Sequence, residues 1–514
     1  MPDAQDRPIA QAGAHYRAGA FDAAAQCALE IVAQAPEHVD ALHLLGVLCL
    51  NRGLSADSAN YLARAAHLQP DNPLLNLNRT NAWLALKQFS RAEAVSRQIL
   101  ASDPGHIGAL NNLGIALGAQ DRHDEALAAY RSALSQQPDH PPAHFNMAKT
   151  LAALGRLEDA AASYRAALRH APADAPRNRI ADMLTGLGAV LVDLDRPEDA
   201  QALFRERNTA ALGLIWHESL LELQLGEYES GWRKYENRWL VDGHDAPHAS
   251  ATVPDVDAVA GKRILLVGEQ GRGDIVQFAR YAPLLAERGA TVYLSVYDDL
   301  KPLLSSLDGV ARIYGEDEAE PACDIVTHVL SLPFAFGTIV ATIPAQVPYL
   351  RADPVRVACW RTRLGPDTGP RIGLTWSSTN PGAARMMRLT MLRPLLDRPN
   401  AVFHALQKDI KADDLEYLRL DGRIQDHRSR LTDFGETAAL IEALDLVITI
   451  DTAVAHVAGA LGKPVWIMLP HVAEWRWLRH RSASPWSPSA RLFRQPAPGD
   501  WHGLVGQVAA ALGD

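Results

Sequence analysis

The sequence predicts an α plus α/β protein: paired helices over the first 240 residues, then two parallel, doubly wound lobes. Three observations carry that expectation. The first half has a 34-residue period; after Lys262 short β-branched runs alternate with helical stretches; and each lobe has one strand that ends in an unusual polar turn.

The period comes first. Pro36, Pro70, Pro104, Pro138 and Pro172 recur every 34 residues. Small residues keep the same interval, Gly46, Thr80, Gly114 and Ala148 in a first helix and Ser58, Ala92, Ala126 and Ala160 in a second, so the two helices can approach closely. Tyr130 and Tyr164 stand four residues after the last two alanines, on the same helical face. The clearest copy, ALNNLGIALGAQDRHDEALAAYRSALSQQPDH, resembles the tetratricopeptide repeat. The resemblance covers residues 8–174, about five repeats, and Gly188, Ala200 and Phe204 continue the spacing as an offset sixth. A final helical pair, LLELQLGEYESGWRKYENRW, reads as a capping or docking element whose Trp232, Tyr235 and Trp239 pack against the next domain. A solenoid of this kind forms a superhelix without catalytic equipment, and its concave face suits an extended segment of another protein. Scaffolding and substrate capture both stay open at this point.

Bulk properties narrow the function classes. At 514 residues the chain exceeds one core, and its 48% hydrophobic and 21% charged composition is that of an ordinary folded protein. A net charge of −10 argues against general affinity for nucleic acid or anionic membrane. Cys27, Cys49, Cys323 and Cys359 have no paired spacing and read as buried thiols in a reducing compartment. The N-terminus lacks a signal-peptide pattern and no run of 18 apolar residues occurs, so the expected location is the cytoplasm, with no membrane span.

The solenoid with its capping helices is assigned residues 1–240, an irregular linker 241–262, a first lobe 263–350 and a second lobe 351–514. In the first lobe RILLV, TVYLSV, VARIY and DIVTHVL read as strands, with DIVQFARYAPLLAERG and DDLKPLLSSL as helices. In the second, RIGLTW, AVFHALQ, DLVITI and PVWIML read as strands, with TAALIEAL and TAVAHVAGALG between them. Two such sets in tandem are two Rossmann-like lobes with a cleft between them.

Ligands of open α/β sheets bind beyond the carboxyl ends of the strands, so the turns there are the places to search. After RILLV comes GEQGRGDIVQF, neither a Walker A loop nor a dinucleotide fingerprint. Gly271 and Gly273 allow close backbone approach, and Asp274 stands where a helix N-cap belongs, so a capping aspartate is one reading of it. After DLVITI come Asp451, Thr452 and Ala453, opening a short helix ended by Gly462, whose N-terminus carries roughly +0.5 of an elementary charge and unpaired N–H groups suited to phosphate. His456 follows Thr452 by four residues on the same face. Ser377, Gln407 and Lys408 are further strand-end polar residues with a second reading as plain surface polarity. Trp475, Trp477 and Trp486 read as packing anchors.

The pattern strand-Asp-Thr-x-x-x-His followed by GALGKPV resembles the nucleotide-sugar signature of the heptosyltransferase-like glycosyltransferases, family 9, which have the GT-B fold. The segment GRGDIVQFARY resembles that family's short Gly-Asp loop. The whole arrangement is similar to bacterial proteins that join tetratricopeptide repeats to such a lobe pair, some of which modify flagellin. The resemblance implies that Asp274 is the general base of an inverting transfer and that Asp451, Thr452 and His456 serve the donor; Gly273 and Ala453 beside them, and Ser377 and Gln407 at their strand ends, are further donor-site candidates. Family members carry a phosphate-binding lysine after the first strand of the second lobe. The corresponding WSSTNPGAARMMRLTML has none, and Arg385 and Arg388 are the available cations. That departure removes the ground for reading the donor as ADP-heptose and leaves a nucleotide-activated sugar of open identity.

No clustered His, Cys or carboxylate spacing implies a metal or other cofactor, so a metal-independent enzyme is expected. The leading expectation is a cytoplasmic glycosyltransferase whose repeats present a protein acceptor, flagellin being the one the resemblance points to. The alternatives are a non-catalytic repeat adaptor with a degenerate transferase region and a lipopolysaccharide heptosyltransferase.

Overall fold

The computed structural model describes residues 7–207, 212–240, 248, 250–366, 369–378, 387–398 and 401–513, and it divides into two compact units, Met1–Ala200 and Gln201–Asp514. The first unit is built of helix pairs: Arg7–Arg17 with Phe21–Gln34, Val39–Asn51 with Ser55–Leu68, Pro73–Ala85 with Phe89–Ser102, Ile107–Gly118 with His123–Gln136, and Pro141–Ala153 with Leu157–His170. Arg177–Asp193 and Pro197–Arg207 follow. The period fixes the helix starts as well as the turns. His38, Asn72, His106 and His140 are N-caps whose side chains accept first-turn backbone N–H groups, two residues after the first four periodic prolines. Its small residues are contact points: a Cβ on Gly46 would lie 2.5 Å from Leu62 Cγ, and one on Gly114 would lie 2.4 Å from Tyr130 Cε1. Side-chain hydrogen bonds link successive first helices, Asn78 to His43 at 2.7 Å, Asn112 to Asn81 at 2.7 Å and Asn146 to Asn111 at 3.0 Å.

The second unit holds two all-parallel sheets. The four-stranded sheet has β1 (Arg263–Val267), β2 (Thr291–Ser295), β3 (Val310–Tyr314) and β4 (Ile325–His328) in the order β3-β2-β1-β4. The six-stranded sheet has β5 (Arg371–Thr375), β6 (Val402–Ala405), β7 (Ile424–Asp426), β8 (Leu446–Ile450), β9 (Val465–Leu469) and β10 (Ala490–Arg494) in the order β10-β9-β8-β5-β6-β7. Four consecutive residues are buried in each of β1, β5 and β8, the pattern of central parallel strands covered on both faces.

Several local expectations change. The stretch DIVQFARYAPLLAERG is three short segments, Arg272–Phe278, Ala279–Tyr281 and Ala282–Glu287, because Pro283 has no N–H and crowds the carbonyl four residues back. The strands β7 and β10 carry no β-branched run; they are edge strands, and β7 exposes Gln425 and Asp426. The cysteines are free, but none is buried: Cys27, Cys49 and Cys323 are half-buried and Cys359 is exposed. Cys359 lies on the helix Pro354–Leu364, whose buried residues are Val357 and Trp360.

The helices Leu212–Leu225 and Tyr228–Tyr235 and the 3-10 turn Glu236–Leu240 belong to the second unit. Trp232 meets Trp475 edge-on at 5.1 Å and Phe278 at 6.1 Å, and Trp239 lies 4.7 Å from the His328 ring. Gln224 Nε2 donates to the Ala473 carbonyl at 2.6 Å. Among the described residues no helix is long and apolar enough to cross a membrane.

Candidate functional site

The first strand end is held from behind. Beyond β1 the Gly268 N–H donates to the Ser295 carbonyl at 2.8 Å, and the Glu269 side chain turns inward, fully buried. Arg238, equally buried, grips it by a fork, Nε to Oε2 at 2.9 Å and Nη2 to Oε1 at 2.8 Å. The Leu330 N–H adds a third bond to Oε1 at 3.1 Å. Burial pushes the Glu269 carboxyl up, and the Arg238 guanidinium pulls it back. Gln270 then takes the left-handed conformation at φ 59°, unfavourable for a side-chain-bearing residue. Its side-chain amide donates to Tyr235 Oη at 3.0 Å, and its backbone carbonyl accepts from Tyr297 Oη at 3.2 Å.

This geometry corrects the capping expectation. Gly271 is the N-cap of the helix Arg272–Phe278, and Asp274 is its third residue, reaching back so that Oδ2 accepts the Gly271 N–H at 3.0 Å. The carboxylate thus sits three residues inside the helix start, where a capping aspartate would have stood at its edge. The other oxygen, Oδ1, accepts from Nη2 of Arg476.

The second strand end is a helix start. Asp451, 5% exposed, follows β8, and Thr452 is the N-cap of the helix Ala453–Ala460. The Thr452 hydroxyl makes no cap hydrogen bond; it pairs with Thr449 Oγ1 at 3.2 Å, and Thr449 pairs in turn with Thr375. The first-turn N–H groups are therefore not taken by this side chain. His456 Nε2 lies 4.0 Å from Asp451 Oδ1, and its ring stacks on Trp477 at 5.5 Å and 20°. At the far end Gly462 takes φ 70°, and the Lys463 N–H closes onto the Ala458 carbonyl at 3.0 Å, a left-handed stop at the glycine expected to end the helix.

The two ends meet at Gly273. A Cβ there would lie 2.7 Å from His456 Cδ2 and 3.2 Å from Ala453 Cα, so only glycine lets the first loop approach this helix start. Gly273→Ala is expected to leave the fold intact, displace the His456 ring and weaken ligand binding in the cleft at least tenfold; isothermal titration checks it, and unchanged affinity would show that the close approach is dispensable.

Between the ends lies a cavity of about 900 Å³, lined by Gly273, Asp274, Ser377, Gln407, Asp451, Thr452, Ala453 and His456. The structure thus brings eight of the ten expected site residues to one wall system. Arg388 is not on it: it is the exposed N-cap of the 3-10 helix Leu389–Leu392. Arg385 lies outside the described residues. Gln407 lines the wall with its amide committed, accepting from the Trp376 and Ser377 N–H groups at 3.1 Å each and donating to the Ser377 and Asp409 carbonyls at 2.8 Å each. It sets the loop that presents Ser377. Trp475, Trp477 and Trp486 are buried packing residues.

Sequence reasoning missed Glu269, Gln270 and Arg476. Arg476 sits in the 3-10 turn Trp475–Trp477, and a charge between two tryptophans in EWRW is the only local sign of it. Lys408, exposed on the cavity wall, offers a lysine at the end of β6 where the end of β5 has none. Among the described residues no three His, Cys, Asp or Glu side chains are grouped so as to hold a metal ion.

Comparison with known proteins places these features. Tetratricopeptide-repeat models match residues 9–73 and 117–180. The model of glycosyltransferase family 9 (heptosyltransferase) matches residues 431–495, the stretch that holds Asp451, Thr452, His456 and Arg476. Protein FlbA of Caulobacter vibrioides is 30% identical over 324 residues, 57% of this chain and 53% of that protein, so the chain spans about half the length of the curated relative it matches. A thermophilic tetratricopeptide-repeat protein of Thermus thermophilus aligns at 22% identity and a TM-score of 0.32, covering 37% of this chain and 100% of that structure. A tetratricopeptide-repeat protein of Parabacteroides merdae aligns at 14% identity and a TM-score of 0.39, covering 46% and 93%. The chain joins tetratricopeptide repeats to a glycosyltransferase family 9 domain.

Proposed function

We propose that this protein is an inverting glycosyltransferase of the GT-B type that moves a sugar from a nucleotide-sugar donor to a hydroxyl of a protein recruited by its repeats. The observation that carries the reading is the pairing of Asp274 with the helix start at Asp451, Thr452 and Ala453 across one cavity. Its volume of about 900 Å³ suits a small-molecule site, for which roughly 300–1,000 Å³ is usual.

In this reading the donor's phosphate lies at the N-terminus of the helix Ala453–Ala460, where N–H groups and the helix dipole favour negative charge. The acceptor hydroxyl gives its proton to Asp274 as its oxygen bonds to the anomeric carbon from the face opposite the phosphate. The bond from that carbon to the phosphate oxygen breaks with its electron pair, and the leaving group stays on the helix start. His456 and Thr452 complete that side. Side chains and backbone dipoles of the chain itself balance the charge, so the transfer is metal-independent. The repeats recruit the acceptor, and a flagellin is the first candidate to test because the resemblance to flagellin-modifying proteins suggested it.

The test uses the full chain with UDP-, GDP- and ADP-sugars and a CMP-linked sugar. One of them is expected to raise the unfolding free energy by about 2.7 kcal/mol at 100 times its dissociation constant, to be hydrolysed slowly, and to remain a substrate in the presence of EDTA. Absence of any thermal shift or turnover across the set would leave a non-catalytic repeat adaptor as the better account.

A further inference from the structure

We infer that Arg476 is the donor-binding residue that takes the leaving phosphate, exchanging onto it from Asp274 and so freeing that carboxylate for the acceptor. This inference rests on the reading of the cleft as a nucleotide-sugar site.

Position comes first. Arg476 belongs to the turn that follows the six-stranded sheet's strand β9, yet its guanidinium reaches the loop of the four-stranded sheet, 202 residues away in sequence. It lines the same cavity as Thr452 and Ala453. Among the described residues the other guanidinium on the wall, Arg272, is bound to Asp299 at 2.6 Å and lies over the Tyr297 ring at 4.4 Å, and Lys408 is an exposed and well hydrated ammonium. Arg476 has only 7% of its side chain exposed, so an ion pair made there is weakly screened by solvent.

The way it is held suits exchange. Trp475 supports the guanidinium face at 4.2 Å, and Nη1 donates to Glu474 Oε2 at 2.6 Å. Nη2 donates to Asp274. Among the described residues the Nε donor is buried without a hydrogen-bond partner, a cost that buried polar groups rarely carry. Glu474 and Trp475 fix the side chain by one edge and one face, leaving the Nη2 edge and Nε for an oxygen-rich anion. A phosphate group offers the bidentate oxygens that such a fork binds best.

Chemistry then requires the exchange. While Nη2 of Arg476 holds Asp274 Oδ1, that oxygen is occupied and closed to an acceptor hydroxyl. Inverting transfer needs the reverse arrangement, cation at the leaving oxygen and carboxylate at the acceptor hydroxyl. Moving Arg476 from Asp274 Oδ1 to the phosphate accomplishes both. The proton of the acceptor hydroxyl passes to Asp274, the new bond forms at the anomeric carbon, and the electron pair of the broken bond rests on the phosphate oxygen, to which Arg476 donates N–H hydrogen bonds without losing a proton.

The test is isothermal titration of the full chain with the nucleoside diphosphates ADP, UDP and GDP, with CMP, and with the nucleosides uridine, guanosine, adenosine and cytidine. Arg476→Gln and Arg476→Lys are compared with wild type in the native and the Asp274→Asn backgrounds, after circular dichroism has confirmed folding of each. Expected for Arg476→Gln is a loss of about 10- to 100-fold in affinity for the phosphate-bearing ligand, the worth of a charged hydrogen bond, unchanged nucleoside affinity, and a smaller loss for Arg476→Lys. The loss persists in the Asp274→Asn background. If Arg476→Gln binds the wild-type ligand with wild-type affinity, or its loss disappears once Asp274 is neutralised, the inference is overturned while the glycosyltransferase reading stands. If the wild type binds none of the ligands, both fall. Should Arg476→Gln not fold, Arg476→Lys decides: equal losses for nucleoside and nucleotide would mean that the arginine only supports the fold.

Discussion

In the proposed transfer Asp274→Asn will lower the turnover number by about 10²–10⁴-fold while leaving donor binding in place. The asparagine amide has the shape of the carboxylate and keeps an oxygen that can accept the Gly271 N–H, now bonded at 3.0 Å. The helix start therefore survives, and what disappears is the ability to take a proton together with the ion pair to Arg476. Asp274→Ala separates the two roles: it removes the reach-back bond as well, at a cost of about 1 kcal/mol for a lost cap interaction, and should unfold earlier than Asp274→Asn with no greater loss of turnover. Initial rates of sugar transfer and urea midpoints for the two variants give the answer. An Asp274→Asn enzyme that retained more than a tenth of the wild-type rate would reduce the residue to a helix-start carboxylate.

The sequence was most legible where structure is local or periodic. A 34-residue interval places helix starts and close contacts alike, since each repeat touches its neighbour in the same way, and Gly114 against Tyr130 is a direct outcome. The strand-end rule brought Asp274, Asp451, Thr452 and His456 to one cavity because turns after parallel strands converge on one edge of a sheet. Arg388, offered by the family resemblance in place of its lysine, is an exposed N-cap off the cavity wall. The strand-end rule missed Arg476 and Glu269. Their partners stand 202 and 31 residues away, so no spacing in the chain announces them. Edge strands β7 and β10 escaped for a different reason: a strand exposed on one side needs no continuous apolar run.

The largest effect on stability is expected at Arg238. Arg238→Met should cost about 3–5 kcal/mol, the usual consequence of breaking a buried ion pair by removing one partner. Both side chains are 0% exposed, and the loss strips Glu269 of two hydrogen bonds at 2.9 and 2.8 Å and leaves Glu236 and Ser331 short of a donor. Glu269→Gln alone should cost less, because its amide oxygen still accepts the Leu330 N–H. Combining the two removes the stranded charge, so the double variant should be more stable than the sum of the single losses predicts, with a coupling of about 1–3 kcal/mol for residues in direct contact. The effect reaches the chemistry through one neighbour. Glu269 adjoins Gln270, whose left-handed backbone persists only while its surroundings hold it, and four residues on from Gln270 stands Asp274. In urea titrations of the full chain Arg238→Met should therefore lose midpoint, and below the transition it should lose the proposed turnover while nucleotide affinity, set by the other strand end, stays near wild type. A midpoint equal to wild type would mean that the helices before the sheet do not brace the loop.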